Sequence, residues 1–109
     1  MKTRVQDEFK VLHGTPTSQV AMMTIRPGGK SNESGKNEHP WAEQWLYVVQ
    51  GEGVAHSGKK TYKLAVGSVV LIEKGEPHVI ENTGDTALVT LNVYSPPAYG
   101  KDGEPLFDL

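Results

Sequence analysis

What most restricts the fold of this chain is the rhythm of its turn signals. "RPGG" at 26–29, "GEG" at 51–53, "SGKK" at 57–60, "AVG" at 65–67, "EKGEP" at 73–77, "NTGD" at 82–85 and "SPP" at 95–97 recur at short, even intervals. Between them lie brief runs rich in β-branched and aromatic residues: "QVAMMTI" (19–25), "WLYVV" (45–49), "TYKL" (61–64), "SVVLI" (68–72), "HVIE" (78–81) and "ALVTLNVY" (87–94). Short strands punctuated in this way, with no long amphipathic period, predict an all-β sandwich or barrel. "NTGD" reads as a hairpin turn, because Asn82 and Gly84 tolerate positive φ. "GGKSNESGKNEHP" (28–40) is polar and glycine-bearing and reads as a surface loop, the kind of segment that often carries function.

A chain of 109 residues suits one domain, 1–109, and not two. The barrel core is expected over roughly 19–97, with the two terminal arms packing on it or on a partner. A net charge of −2 and the lack of a basic stripe argue against a nucleic-acid partner. No apolar run reaches the ~20 residues of a membrane span. "MKTRVQDEFK" lacks the apolar core of a signal peptide, so the expected location is cytoplasmic. There is no cysteine, which excludes disulfides, thiolate nucleophiles and Cys-based metal sites. Any metal must be held by histidine, carboxylate or amide.

Chemistry concentrates in "GKNEHPWAEQWLYVVQGEG" (35–53). Pro40 could open a helix, and Trp41, Trp45 and Leu46 lie at helical spacing. Against that, "WLYVV" is dense in strand formers and ends at Gly51. The strand reading wins, with the loop-to-strand junction near Glu43 and Gln44. Alternation then places Gln44, Leu46 and Val48 on one face and Trp45, Tyr47 and Val49 on the other. His78, Ile80 and Asn82 likewise share a face. No H-E-x-x-H and no G-x-S-x-G occur, so zincin and serine-hydrolase chemistry are set aside.

Two segments resemble the paired motifs of the cupin superfamily. "NEHPWAEQWLYVVQG" (37–51) is similar to H-x-H-x(3,4)-E-x(6)-G, and "GSVVLIEKGEPHVIEN" (67–82) to G-x(5)-P-x-G-x(2)-H-x(3)-N. In the second, Gly67, Gly75, His78 and Asn82 are in register and Glu73 stands where proline is usual. In the first, His39 and Gly51 fit, while Asn37 replaces a histidine and Gln44 the glutamate. The resemblance implies a double-stranded β-helix, the jelly-roll-like cupin barrel, with ligands projecting inward near one mouth. It implies a divalent metal ion (Fe, Mn, Ni, Zn or Cu) at His39, Gln44 and His78, with Asn37 or water completing the shell. An amide oxygen is a legitimate, if weaker, donor. Glu38 and Glu43 read as solvated, with a role as substitute carboxylate left open.

With no carboxylate among the ligands, such an ion would keep more of its charge and favour a ligand that brings its own, a small anionic organic molecule. Oxygenase- or isomerase-type chemistry is the first functional expectation. A non-catalytic ligand-binding cupin with a degenerate or empty metal site is the alternative. Trp45, Tyr47 and Val49, on the face away from the barrel lumen, together with the resemblance, predict a homodimer. Tyr94 and Tyr99 are candidates for covering a neighbouring subunit, and His56 reads as an exposed residue on a hairpin strand.

Overall fold

The turn positions sort the chain into eight strands and no helix in the computed structural model, which describes residues 8–32 and 39–107. The strands are β1 (Glu8–Gly14), β2 (Gln19–Ile25), β3 (Glu43–Gln50), β4 (Gly53–Ser57), β5 (Lys60–Leu64), β6 (Val69–Ile72), β7 (His78–Asn82) and β8 (Leu88–Ser95). They form two antiparallel sheets, ordered β1-β2-β8-β3-β6 and β5-β4-β7. "QVAMMTI" is β2 to the residue, and β3 starts at Glu43, where the loop-to-strand junction was expected. The N-terminal arm supplies β1, paired along β2 at the sheet edge.

Alternation decides which side chains meet between the sheets. Leu46 and Val48 of β3, Ala55 of β4, Leu64 of β5, Ile72 of β6, Ile80 of β7 and Leu88 of β8 are buried together with Ile25. Burial of each large aliphatic side chain is worth about 1.5–3 kcal/mol. A second cluster of Ala21, Ala42, Tyr94, Ala98 and Tyr99 fills the other end, flanked by Phe9, Val11 and Trp41. The first cluster is wholly apolar and closes the barrel. The second surrounds the polar groups described below.

Two expectations are corrected. "NTGD" does turn the chain, but β7 and β8 belong to different sheets, so it passes between layers and is not a hairpin. Asn82 holds that corner: its Nδ2 donates to the carbonyls of Ile25 (2.8 Å) and Thr86 (2.8 Å), and its Oδ1 accepts from the Gly84 amide (2.9 Å). The other correction concerns the start of the 28–40 segment, which is no free surface loop. Gly28 and Ser31 donate to the carbonyls of Asn82 and Ile80, and Gly29 accepts from Asn82, so this stretch runs beside β7 and ties the sheets together. By contrast "SGKK" is a true hairpin turn, pairing β4 with β5.

Two side chains fasten the C-terminal arm, Gln19 and Trp41. Gln19 donates from Nε2 to the Tyr99 carbonyl (2.6 Å) and accepts at Oε1 from the amides of Ala98 (3.2 Å) and Tyr99 (3.0 Å). Trp41 adds a bond from Nε1 to the Pro97 carbonyl (2.9 Å) and an edge contact with Phe107. Tyr94 and Tyr99 are therefore buried in their own subunit and do not cover a neighbour. No helix among the described residues is long and apolar enough to cross a membrane.

Candidate metal centre

β3 and β7 lie in opposite sheets, and each delivers one polar residue at its start into the space between them. Gln44 and His78 are both buried, and His39, just ahead of β3, is buried beside them. Nε2 of His39 lies 3.0 Å from Oε1 of Gln44. The rings of His39 and His78 have centroids 5.1 Å apart. Residues from both motifs thus converge at one place. Asn37 and Glu38 lie outside the described residues. Glu43 has the parity of Trp45 and Tyr47, so its carboxylate leaves on the face opposite Gln44 and does not substitute for it.

The second nitrogen of each ring settles what the first can offer. Nδ1 of His78 lies 3.2 Å from the Glu76 carbonyl, which can only accept, so Nδ1 carries the proton and Nε2 keeps its lone pair. Nδ1 of His39 faces the Ala42 carbonyl at 3.3 Å. The His39 ring therefore has an oxygen at each nitrogen: its proton can sit on Nε2 toward Gln44 or on Nδ1 toward Ala42. The second tautomer frees Nε2. Backbone carbonyls at Nδ1 are the usual device for orienting metal-binding imidazoles.

Burial pushes the His78 imidazole down from the ordinary 6.5 to about 4, with nearby His39 adding to the effect and the Glu76 carbonyl opposing it. The ring is neutral at physiological pH, the form in which imidazole ligates. Glu76 itself is held below its usual range, first by a short hydrogen bond from the Ser57 hydroxyl and then by the Glu73 amide. Its side chain fastens the turn that carries His78. His56, expected to be exposed, keeps 43% of its side chain exposed on the outer sheet face and is bonded through Nε2 to Glu81 (3.1 Å).

The sequence reading passed over the residues behind Gln44. Along "ALVTLNVY" the inward stripe is Leu88, Thr90, Asn92 and Tyr94, so two polar residues stand where an apolar barrel would have none. Gln44 Nε2 donates to Asn92 Oδ1 at 2.9 Å, and Asn92 Nδ2 points to the carbonyl (3.3 Å) and hydroxyl (3.1 Å) of Thr90. Polar residues on an inward stripe were the available signal. In front, a cleft of about 40 Å³ is lined by Phe9, Met23, Ser31, Asn32, Gln44, His78, Ile80, Tyr94 and Tyr99.

The donor set can be tested against an ion. Among the described residues no group of three or more His, Cys, Asp or Glu side chains could hold a metal. The cluster present is two imidazoles and an amide oxygen. His39, Gln44 and His78 would hold the ion through imidazole nitrogens and an amide oxygen, donors that divalent metals accept. In donor type the three residues are compatible with a divalent ion.

Two antiparallel sheets closed on each other, with polar residues of both motifs buried between them, define a small β-barrel of the double-stranded β-helix class. The family follows from the sequence: the model of the cupin domain matches residues 21–94, and the chain belongs to the cupin family. It is 37% identical over 73 residues to the oxalate-binding protein of Thermotoga maritima, covering 67% of this chain and 58% of that protein. It is 31% identical over 85 residues to the uncharacterized protein YrkC of Bacillus subtilis, covering 72% of this chain and 44% of that one. The chain thus spans about half the length of these curated relatives. Among solved structures, one from Bacillus halodurans superposes with a TM-score of 0.80 at 25% identity, covering 89% of this chain and 76% of that one. A predicted oxalate decarboxylase from Thermotoga maritima gives a TM-score of 0.66 at 32% identity, covering 75% and 69%.

Proposed function

We propose that this cupin holds a divalent ion at His39, Gln44 and His78 and binds a small carboxylate anion of the oxalate type on it. The observation that carries this reading is the 3.0 Å approach of His39 Nε2 to Gln44 Oε1 beside a His78 ring whose Nδ1 is held by a carbonyl. With its proton on Nδ1, His39 would offer a lone pair beside the Gln44 oxygen and near the His78 ring, a set of neutral donors that suits a cation. The relative's oxalate-binding name supports the choice of anion. The cleft in front of the three groups is where such an anion would sit. None of its described lining residues is Lys or Arg, so the ion is what would meet the anion's charge. When bound, it would supply Lewis acidity. The protein's part is to orient it, to keep His78 neutral, and to exclude water with Tyr94, Tyr99 and Phe9.

Calorimetric titration of oxalate into metal-free and nickel-loaded protein tests this. Oxalate should bind only the loaded form. Equal binding to both forms, or no nickel binding, would refute it.

A second reading is favoured by the same lining. Apart from His78 and the two tyrosines, none of its described lining residues is titratable, and none of them is a carboxylate that could transfer a proton. Under this reading the protein binds its ligand without turning it over. Release of formate and carbon dioxide from oxalate by the loaded protein would exclude it.

We also infer a homodimer. Trp45, Tyr47 and Val49 of β3 are each more than two-fifths exposed, and Trp45 and Tyr47 register against Leu71 and Val69 of β6, also exposed. An apolar strip of that kind across the edge of a five-stranded sheet suits a self-complementary contact.

A further inference from the structure

We propose that Asn92 is the positioning residue that decides which end of the Gln44 amide faces the histidines, and so makes this a site for cations. The inference rests on the cation-site reading above and specifies what in the fold enforces it. A glutamine side chain presents either an oxygen or an NH2 group, and the two differ only by rotation about the last bond. An NH2 group turned toward His39 and His78 would repel a cation and suit an anion instead. The barrel interior contains the element that selects between these states.

Selection starts two residues away on β8. The Asn92 side-chain nitrogen lies 3.3 Å from the Thr90 carbonyl, 3.1 Å from the Thr90 hydroxyl and 3.5 Å from the Ala21 carbonyl. The two carbonyls can only accept, so this atom must be the NH2 group. Asn92 Oδ1 then points the other way, 2.9 Å from Gln44. An acceptor there requires the Gln44 NH2, which leaves Oε1 toward His39. Thr90 and Asn92 are completely buried, and Gln44 nearly so, so the bonds among them are shielded from water. Gln44 is registered opposite Tyr94, and Asn92 is its diagonal neighbour, within reach of a long side chain. Backbone carbonyls of β8 and β2 thus fix the orientation of a side chain on β3.

The relay has a consequence for carboxylate at position 44. A glutamate has two equivalent oxygens, so its function cannot depend on orientation. One of those oxygens would also face Asn92 Oδ1 with no proton between them.

Nickel titration of four proteins, the wild type, Asn92→Leu, Gln44→Glu and the double variant, tests the proposal. Asn92→Leu is expected to weaken nickel binding about ten- to hundred-fold in the wild-type background, the usual cost of losing a partner behind a ligand. In the Gln44→Glu background the same substitution should leave affinity unchanged or raise it. An equal loss in both backgrounds would mark Asn92 as merely structural, and no loss in the wild-type background would refute the positioning role. Absence of nickel binding in both the wild type and Gln44→Glu would instead remove the cation site. The relay can then be read in the metal-free wild type, where nuclear magnetic resonance should show the Gln44 NH2 protons protected from exchange by their bond to Asn92. Rapid exchange of those protons overturns the proposal even if the leucine variants fail to fold.

Discussion

Oε1 of Gln44, on β3, faces His39 Nε2 at 3.0 Å, and Nδ1 of His78, at the start of β7, faces the Glu76 carbonyl at 3.2 Å. The two residues come from opposite sheets, so the geometry of the site depends on the sheets staying in register. Side-chain pairing alone could not hold them there.

Removing either imidazole should remove the ion. His39→Ala or His78→Ala leaves two donors, and nickel affinity should fall by more than the roughly 10–100-fold that loss of an outer partner costs. Equilibrium dialysis with circular dichroism as a fold control checks this. Full retention of binding by His78→Ala would dismiss the site.

Two motif glycines should differ sharply in what they tolerate. Gly51 has a φ of +87°, and a Cβ there would lie 2.5 Å from the Ala87 carbonyl oxygen. Gly75 has a φ of +75° with nothing within 4 Å of a Cβ. Gly75→Ala should cost only the left-handed penalty, about 1–2 kcal/mol. Gly51→Ala adds a backbone collision and should cost more than roughly 3 kcal/mol, in line with other strongly strained substitutions. Urea denaturation of the two variants makes the comparison, and equal losses would show that the close approach relaxes freely.

These glycines also explain how much was legible in advance. Turn residues are local, so strand positions could be read from Gly51, Gly75 and their neighbours. Alternation is local too, and it put Gln44, Leu46, Val48, His78 and Ile80 on inward faces, where they are buried. Which strands pair is not local. "NTGD" has hairpin chemistry, yet β7 and β8 part into different sheets because segment 28–31 takes the place beside β7. The Gln44–Asn92 contact spans 48 positions and joins two strands whose adjacency no turn announces. The burial of Tyr99 is non-local in the same way: nothing near it in sequence shows that Gln19 grips its backbone.

The exposed strip on β3 and β6 gives a prediction about assembly. Trp45→Glu combined with Tyr47→Lys places charges on the outer face, away from the lumen, so the barrel and its nickel affinity should persist. The wild type should scatter light as a dimer of 11.9 kDa chains and the variant as a monomer. A monomeric wild type at micromolar concentration would show that this face does not self-associate.

The histidine in the barrel sets the last prediction. His78 is buried, and its pKa is pushed from 6.5 to about 4 because the charged ring would lose its hydration. In the unfolded chain the ring takes up a proton as pH falls through ~6.5, while in the folded metal-free protein it stays neutral until about 4. Protonation therefore favours the unfolded state throughout that interval. Stability should be level above pH 6.5 and fall below it, by about 2 kcal/mol at pH 5, since each pH unit in the window is worth ~1.4 kcal/mol. The depressed Glu76 carboxylate acts at lower pH: its contribution is present above the usual carboxylate range and is lost only as pH falls through its folded value. Chemical denaturation in chelator at pH 7, 6 and 5 should show the decline in the wild type, and His78→Gln should flatten it. A wild-type curve without slope over that range would mean that the folded protein accepts the proton, and that the ring is better solvated than its burial implies.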